Sequence, residues 1–405
     1  MTPSVRRHDR EFDLILWGAT GFTGQLVARH LAENYDWDVL RWAIGGRDEV
    51  KLAAVREGLG APDLPVVLGD AHDQDKMAAL AKRTRVVCST VGPYARYGSE
   101  LVAACVRAGT GYCDLTGEAH WIRRMLDAHN AQAVETGARI VPTCGFDSIP
   151  SDLGVYFLQR EMQSRHGAPG PRIKGGVARL NGKASGGTVA SMLNLLEEAG
   201  NDRSVRRILV NPYSLNPEGK RNGPDGRDRM SPSYDDDFRK WTAPFIMAGI
   251  NTRIVRRSAA LMPDLYGPDF SYQESMLTGR GVGGALKATA VSGVMAAALG
   301  ALSIGPIRRL IAPRLPQPGE GPTPEEQKNG NWEMRFLGGS SGARVTGDMD
   351  PGYGSTSKML AESAVCLALD QLTVGGGFHT PASAMGNILI ERLQKNAGVT
   401  FEVIE

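Results

Sequence analysis

Near the start of the chain, Gly18-Ala19-Thr20-Gly21-Phe22-Thr23-Gly24 stands where backbone groups can hold a phosphate. The segment follows the apolar run Asp13–Gly18 and opens a helical periodicity from Phe22 to Asn34. Gly18 permits a tight turn out of a strand. Gly21 lets the backbone approach a pyrophosphate with no Cβ in the way, and Gly24 lets the helix pack close to the sheet. The first N–H groups of such a helix are unpaired, and its dipole favours an anion there. A glycine cluster of purely structural use is the alternative. The position at the first strand–helix turn of an alternating chain favours a dinucleotide, with Gly18, Thr20, Gly21, Phe22, Thr23 and Gly24 as its binding loop.

Further candidates follow at the ends of later strands. An NAD site usually carries an acidic residue at the end of the second strand, where it binds the ribose hydroxyls. Here that stretch reads Ala43-Ile44-Gly45-Gly46-Arg47-Asp48, with glycine in the acidic position and arginine after it. A guanidinium suits a 2′-phosphate, so NADP(H) is expected ahead of NAD(H). Otherwise Arg47 caps a loop, and Asp48 caps the next helix. Asp70, ending the third strand, either accepts from the adenine amino group or N-caps the following helix. Thr90, Gly92 and Pro93 end the fourth strand and are expected beside the ribose and nicotinamide, with Tyr94 and Tyr97 as proton-donor candidates. Asp147, in Cys144–Asp152 after the sixth strand, could be an acid/base or hold a water, or could simply cap a turn. Ser151 or Asp152 is expected to cap the next helix, and Asp114, Thr116 and Glu118 invite the same two readings.

The elements that must position these residues alternate. Strands are expected at Asp13–Gly18, Val39–Gly45, Pro65–Asp70, Arg85–Val91, Tyr112–Leu115 and Arg139–Thr143. Helices between them are expected at Phe22–Asn34, Asp48–Gly58, Asp73–Lys82, Ser99–Ala108 and His120–Thr136. Such alternation implies a parallel sheet with right-handed crossovers. After Pro150 a helix, Asp152–Gln163, leads to strand candidates Arg172–Leu180, Phe270–Leu277, Trp332–Leu337 and Ala343–Gly347, with helix Val189–Ala199 among them. Asn211–Arg229 and Gln317–Gly330 read as long loops. Helices Ser355–Gln371 and from Pro381 (N-cap Thr380) to Asn396 precede a last strand, Val399–Ile404. The expected fold class is α/β: an N-terminal Rossmann doubly wound parallel sheet (10–150) and a second α+β domain on a mixed sheet (151–350).

With 405 residues, 42% hydrophobic, the chain can bury two sizeable cores. Its 46 basic and 44 acidic residues nearly cancel, so bulk charge favours no nucleic-acid partner. The polar stretch Met1–Asp13 lacks the apolar core of a secretory leader. Five scattered cysteines, without CxxC or HExxH, read as reduced thiols in a cytoplasmic protein with no metal site. Leu286–Ile304 is apolar and rich in small residues, and Arg308, Arg309 and Arg314 follow it. It reads first as a buried or interface helix, second as an interfacial membrane contact or acyl-chain wall, and least as a true span.

The chain resembles the saccharopine dehydrogenase-like oxidoreductases, especially the trans-acting enoyl reductases serving lipid-making polyketide synthases in mycobacteria. The resemblance rests on GATGFTG (Gly18–Gly24), AIGGR (Ala43–Arg47), STVGPYARYG (Ser89–Gly98), YCDLTGE (Tyr112–Glu118), CGFDSIPSD (Cys144–Asp152), GYGSTSKMLAESAVCLALD (Gly352–Asp370) and TPASAMG (Thr380–Gly386). It implies reduction with a nicotinamide cofactor and return of the last helices (351–405) to the Rossmann domain. The expected substrate is an acyl or polyketide thioester, free or on a carrier protein, in lipid biosynthesis. Hydride would reach the β-carbon; the developing enolate would need a donor near its oxygen and the α-carbon a proton, one of which Tyr94, Tyr97 or water would supply. A saccharopine-type amino-acid or imine dehydrogenase is the second reading. It would need clustered cations, for which Arg179, Lys183, Arg253, Arg256 and Arg257 are available. A non-catalytic dinucleotide-binding protein at a lipid surface is the third. Homodimerisation through the second domain's sheet, and a peripheral place on the inner face of the plasma membrane, are expectations from analogy.

Overall fold

The computed structural model describes residues 10–182, 186–315 and 321–404. Its first half alternates as expected: β1 Phe12–Trp17, α1 Phe22–Asn34, β2 Trp42–Gly46, α2 Glu49–Gly58, β3 Val66–Leu68, α3 Gln74–Arg83, β4 Thr84–Ser89, the short α4 Tyr94–Tyr97, α5 Ser99–Ala108, β5 Gly111–Asp114, α6 Ala119–Thr136 and β6 Arg139–Val141. These six strands lie in the order β6-β5-β4-β1-β2-β3, all parallel. The order reverses between β1 and β4, the crevice where doubly wound sheets bind ligands. Strand β1 is buried throughout, because helices cover both faces of a parallel sheet. Asp13 is tolerated within it because it accepts from the Arg41 backbone and guanidinium.

The second half adds α7 Ile149–His166, β7 Arg172–Asn181, α8 Gly186–Asn201, α9 Arg203–Val210, β8 Ser233–Asp235, β9 Lys240–Ala243, α10 Ala248–Leu261, α11 Pro263–Tyr266, β10 Ser271–Gly279, α12 Gly281–Ser303, α13 Gly305–Ile311, α14 Pro324–Asn329, β11 Asn331–Gly338 and β12 Ser341–Gly347. Then come α15 Thr356–Leu369, the two-residue β13 Gly377–Phe378, α16 Pro381–Asn396 and β14 Val399–Ile404. The second sheet is mixed, in the order β14-β12-β11-β7-β10-β9-β8, with β7 and β10 its parallel pair. Strand β13 extends the first sheet beside β6, whereas β14 closes the edge of the second.

Several expectations need correction. Helix α7 begins at Ile149, so Ser151 and Asp152 lie inside it and cap nothing. Asp152 instead accepts from the Ser258 hydroxyl and the Ala382 N–H, joining α7, α10 and α16. The loop expected over Gln317–Gly330 contains α14, whose Thr323 and Glu326 form a reciprocal cap; residues 317–320 of that loop lie outside the described residues. The segment Leu286–Ile304 is largely α12, and the buried-helix reading fails: only Gly284, Ala288, Ser292 and Leu302 of the helix are buried.

A buried polar network fastens α15 and α16 to α1, one of the helices that cover the first sheet. Glu362 on α15 is fully buried and takes hydrogen bonds from Tyr35, from Asn396 and from Arg392, with the His30 ring at 2.8 Å. Arg392 also pairs with Asp370. Burial would raise the Glu362 carboxyl, but the bonds from His30, Tyr35 and Asn396 outweigh it and hold the group below its ordinary value. With the folded value the lower one, the network's contribution is present above the unfolded carboxyl value of about 4.3 and is lost as pH falls below it. Glu362→Ala is expected to cost about 3 kcal/mol, near the low end for a broken buried pair because Arg392 keeps Asp370. A lower urea midpoint at pH 7, with a smaller deficit at acid pH, would check it.

Candidate cofactor and substrate site

The parallel sheet brings the carboxyl ends of β1, β2, β4, β5 and β6 to one edge. Gly18 leaves β1 at φ +94°, and its N–H bonds to the Gly45 carbonyl. A Cβ there would lie 2.6 Å from Val91 Cγ2 and 2.7 Å from Thr90 Oγ1. Gly21 is the N-cap of α1 and supplies no side-chain cap, so the first helical N–H groups stay open to an anion. A Cβ on Gly21 would meet only the Gly18 carbonyl, at 3.5 Å, so the space before the helix is clear. A Cβ on Gly24 would lie 2.2 Å from that same carbonyl oxygen and 2.9 Å from Ala19 Cα. Gly24→Ala should therefore shift α1 off the sheet, cost about 1–3 kcal/mol as overpacking does, and weaken nucleotide binding with it. Gly58→Ala, whose Cβ meets nothing within 4 Å, is the matched control. Thermal midpoint and fluorescence titration read both.

At the end of β2, Asp48 caps α2 by accepting from the Lys51 N–H. Arg47 is exposed and makes no hydrogen bond or ion pair among the described residues, so it does not cap the loop. Asp70 does not cap α3; Asp73 does, and Asp70 accepts from the His72 N–H. Thr90 ties the end of β4 to the glycine loop, its hydroxyl donating to the Gly18 carbonyl. Gly92 and Pro93, joined by a cis peptide, follow it. These groups fit a 2′-phosphorylated dinucleotide: an uncapped helix start, a clear approach over Gly21, and a free guanidinium where an NAD site has an acid.

The tyrosines are placed differently from each other. Tyr94 is 3% exposed, stacks near Trp121, and donates its hydroxyl to the Ser89 carbonyl. Burial, aided by Asp114, raises that hydroxyl well above its ordinary value. This packing does not favour Tyr94 as a proton donor. Tyr97 is half-buried against the His72 ring, 5.4 Å between centroids, beside the loop that joins β3 to α3. Asp147 is half-buried at the mouth between β6 and α7 and has no hydrogen-bond partner among the described residues. Burial pushes its carboxyl up to about 7.

Neighbouring acids hold the scaffold. Asp114 is buried and accepts from the Thr116 and Thr143 N–H groups and the Tyr112 hydroxyl. Glu118 accepts from the Tyr94 and Ala95 N–H groups and the Ser191 hydroxyl, fixing the start of α4 against α8. The Phe146 N–H donates to Thr356 Oγ1, and the Phe22 ring meets Tyr353 edge-on at 4.7 Å. Thr356 and Tyr353 are thus wall residues that sequence reasoning missed. Their only signal was the GYGSTS spacing, which names no chemistry.

Three of the cations a polycarboxylate substrate would need are engaged elsewhere. Arg253 bonds to the Leu209 carbonyl and Asp228, Arg256 to Asp225 and the Tyr272 carbonyl, and Arg257 to the Leu215 and Phe378 carbonyls. All three are buried. Arg179 is exposed on β7, and Lys183 lies outside the described residues.

Comparison with known proteins agrees with this geometry. Residues 14–141 match the saccharopine dehydrogenase NADP binding domain. A putative trans-acting enoyl reductase of Mycobacterium tuberculosis is 41% identical over 421 residues, 97% of each chain. The trans-acting enoyl reductase of Mycobacterium bovis is 40% identical over 97% of this chain and 98% of its own. Among solved structures, saccharopine dehydrogenase (L-Glu forming) from Saccharomyces cerevisiae superposes with a TM-score of 0.51 at 14% identity, covering 97% of this chain and 99% of its own.

Proposed function

From a chain that belongs to the trans-acting enoyl reductase family and carries a saccharopine dehydrogenase NADP-binding domain, we propose reduction of the conjugated C=C bond of an acyl or polyketide thioester at the expense of NADPH. The observation that carries the reading is Arg47 at the end of β2, exposed and without a partner among the described residues, on the sheet edge it shares with the uncapped start of α1. When bound, NADPH supplies the hydride that the substrate's β-carbon accepts. The amides at the start of α1 would hold the pyrophosphate and Arg47 the 2′-phosphate. Thr90 keeps the glycine loop and the β4 loop in register. The α-carbon then needs a proton, and we assign its delivery to Asp147, which follows β6, has no hydrogen-bond partner among the described residues, and is raised by burial to about 7.

Acting in trans, the enzyme takes its acyl chain from a separate synthase, still linked as a thioester on a carrier protein. The buried arginines argue against an amino-acid adduct with several carboxylates. NADPH oxidation with an enoyl thioester panel, beside amino acid plus keto acid, tests the assignment. Turnover on the thioesters supports it. Turnover only on the amino-acid pair supports the dehydrogenase reading, and tight NADPH binding without turnover supports a non-catalytic role.

A further inference from the structure

Helix α12 is long and apolar enough to cross a bilayer, yet it projects from the second sheet with most of its surface exposed. Val282, Leu286 and Val294 are 77%, 66% and 71% exposed, and Leu310 on α13 is 66% exposed. From Arg280 to Arg314 the chain carries Arg280, Lys287, Arg308, Arg309 and Arg314 and no acidic residue. Between Lys287 and Arg308 it carries no charge at all. Apolar side chains thus run the length of the projection, and three of its five cations cluster at the far end. Arg309 has no hydrogen bond or ion pair among the described residues.

We propose that the outer half of α12, with α13, docks this enzyme on an anionic phospholipid bilayer. Val294, Ile304, Ile307 and Leu310 enter the headgroup–acyl boundary, while Arg308, Arg309 and Arg314 remain among the phosphates. The near end of the helix fixes the mode as lying on the membrane rather than crossing it. Gly284 packs on the Gly279 backbone, where a Cβ would lie 2.4 Å from the carbonyl oxygen, and Thr278 donates to the Gly284 carbonyl. Ala288 and Ser292 continue that buried face, against β9 and β10. With its first three turns held by the sheet, α12 has about 17 Å of length beyond them, roughly half the hydrocarbon thickness. Charge selects the occupant. A second copy meeting this face symmetrically would set five cations against five, a contact that repels itself, whereas anionic headgroups neutralise them. Helix α12 also packs on α8, whose Ser191 holds Glu118 at the α4 loop, so the bilayer lies one helix away from the cleft.

Flotation of the full-length protein with vesicles of phosphatidylcholine, or of phosphatidylcholine with phosphatidylglycerol, tests this without any substrate. Capture by the anionic vesicles, weakened by salt, is expected. Arg308→Gln with Arg309→Gln should reduce that capture about 30-fold, from the attraction of each arginine to an anionic surface. Val294→Asn with Leu310→Asn should abolish capture while NADPH binding and circular dichroism stay unchanged. No flotation, equal capture by neutral vesicles, or variants that bind like the wild type would overturn the proposal. So would lipid-free self-association that Val294→Asn disrupts in a protein that ignores vesicles. Turnover of a soluble thioester in the absence of lipid reads the reductase assignment separately.

Discussion

Arg47→Ala is expected to raise the dissociation constant for NADPH by about 10- to 100-fold and to leave that for NADH within about twofold. The reasoning is electrostatic and local. A hydrogen bond to a charged group contributes about 1.5–3 kcal/mol, and Arg47 has no partner among the described residues to release before it meets a phosphate. Gly46, buried at the end of β2, offers no carboxylate to grip a ribose diol, so NADH has little to lose there. Parallel titrations of wild type and variant with both nucleotides decide the matter. Equal losses for the two would remove the 2′-phosphate from Arg47's role and leave a general effect on the loop.

Asp147→Asn is expected to lower kcat by about 100- to 10,000-fold, the usual contribution of a positioned acid or base, with KM and NADPH affinity nearly unchanged. A donor must be protonated. Because burial places this carboxyl at about 7, the wild-type rate should fall as pH rises through that value. The amide cannot titrate, so the variant's residual rate should be flat across the same interval. A variant that keeps both kcat and the wild-type pH profile would show that the proton comes from elsewhere, with water or Tyr97 next to be tested.

The sequence made the first sheet readable because strands such as β1 and β2 are buried throughout and alternate with periodic helices, of which α2 and α3 begin at aspartate caps. Helices α1 and α5 have the boundaries their periodicity suggests. Helix α10 was not readable, because Arg253, Arg256 and Arg257 interrupt its apolar pattern yet are buried, their guanidinium groups bonded to carbonyls and aspartates from distant segments. Strand β13 is too short to leave a pattern at all. At the site, residue types revealed the nucleotide loop and Arg47, where backbone freedom and charge are local properties. They did not reveal which way a side chain turns. Position favoured Tyr94 over Asp147 as a donor, and only tertiary packing buries the Tyr94 hydroxyl on Ser89 while leaving Asp147 without a partner among the described residues. Likewise, the composition of α12 marked an apolar helix, but whether it is covered depends on what the sheet leaves bare.

The two chain segments β13 and β14 have a consequence for biogenesis. One joins the first sheet and the other the second, and only α16 separates them. During synthesis the first sheet therefore keeps β6 as a bare edge until residues 377–378 emerge, and the second keeps β12 bare until residues 399–404 follow, long after every nucleotide-binding group has emerged. Domain-by-domain maturation at the ribosome, common in proteins of this size, cannot finish here. Loss of β14 alone would expose β12 as an open edge and invite aggregation, even though it removes no residue from the catalytic cleft.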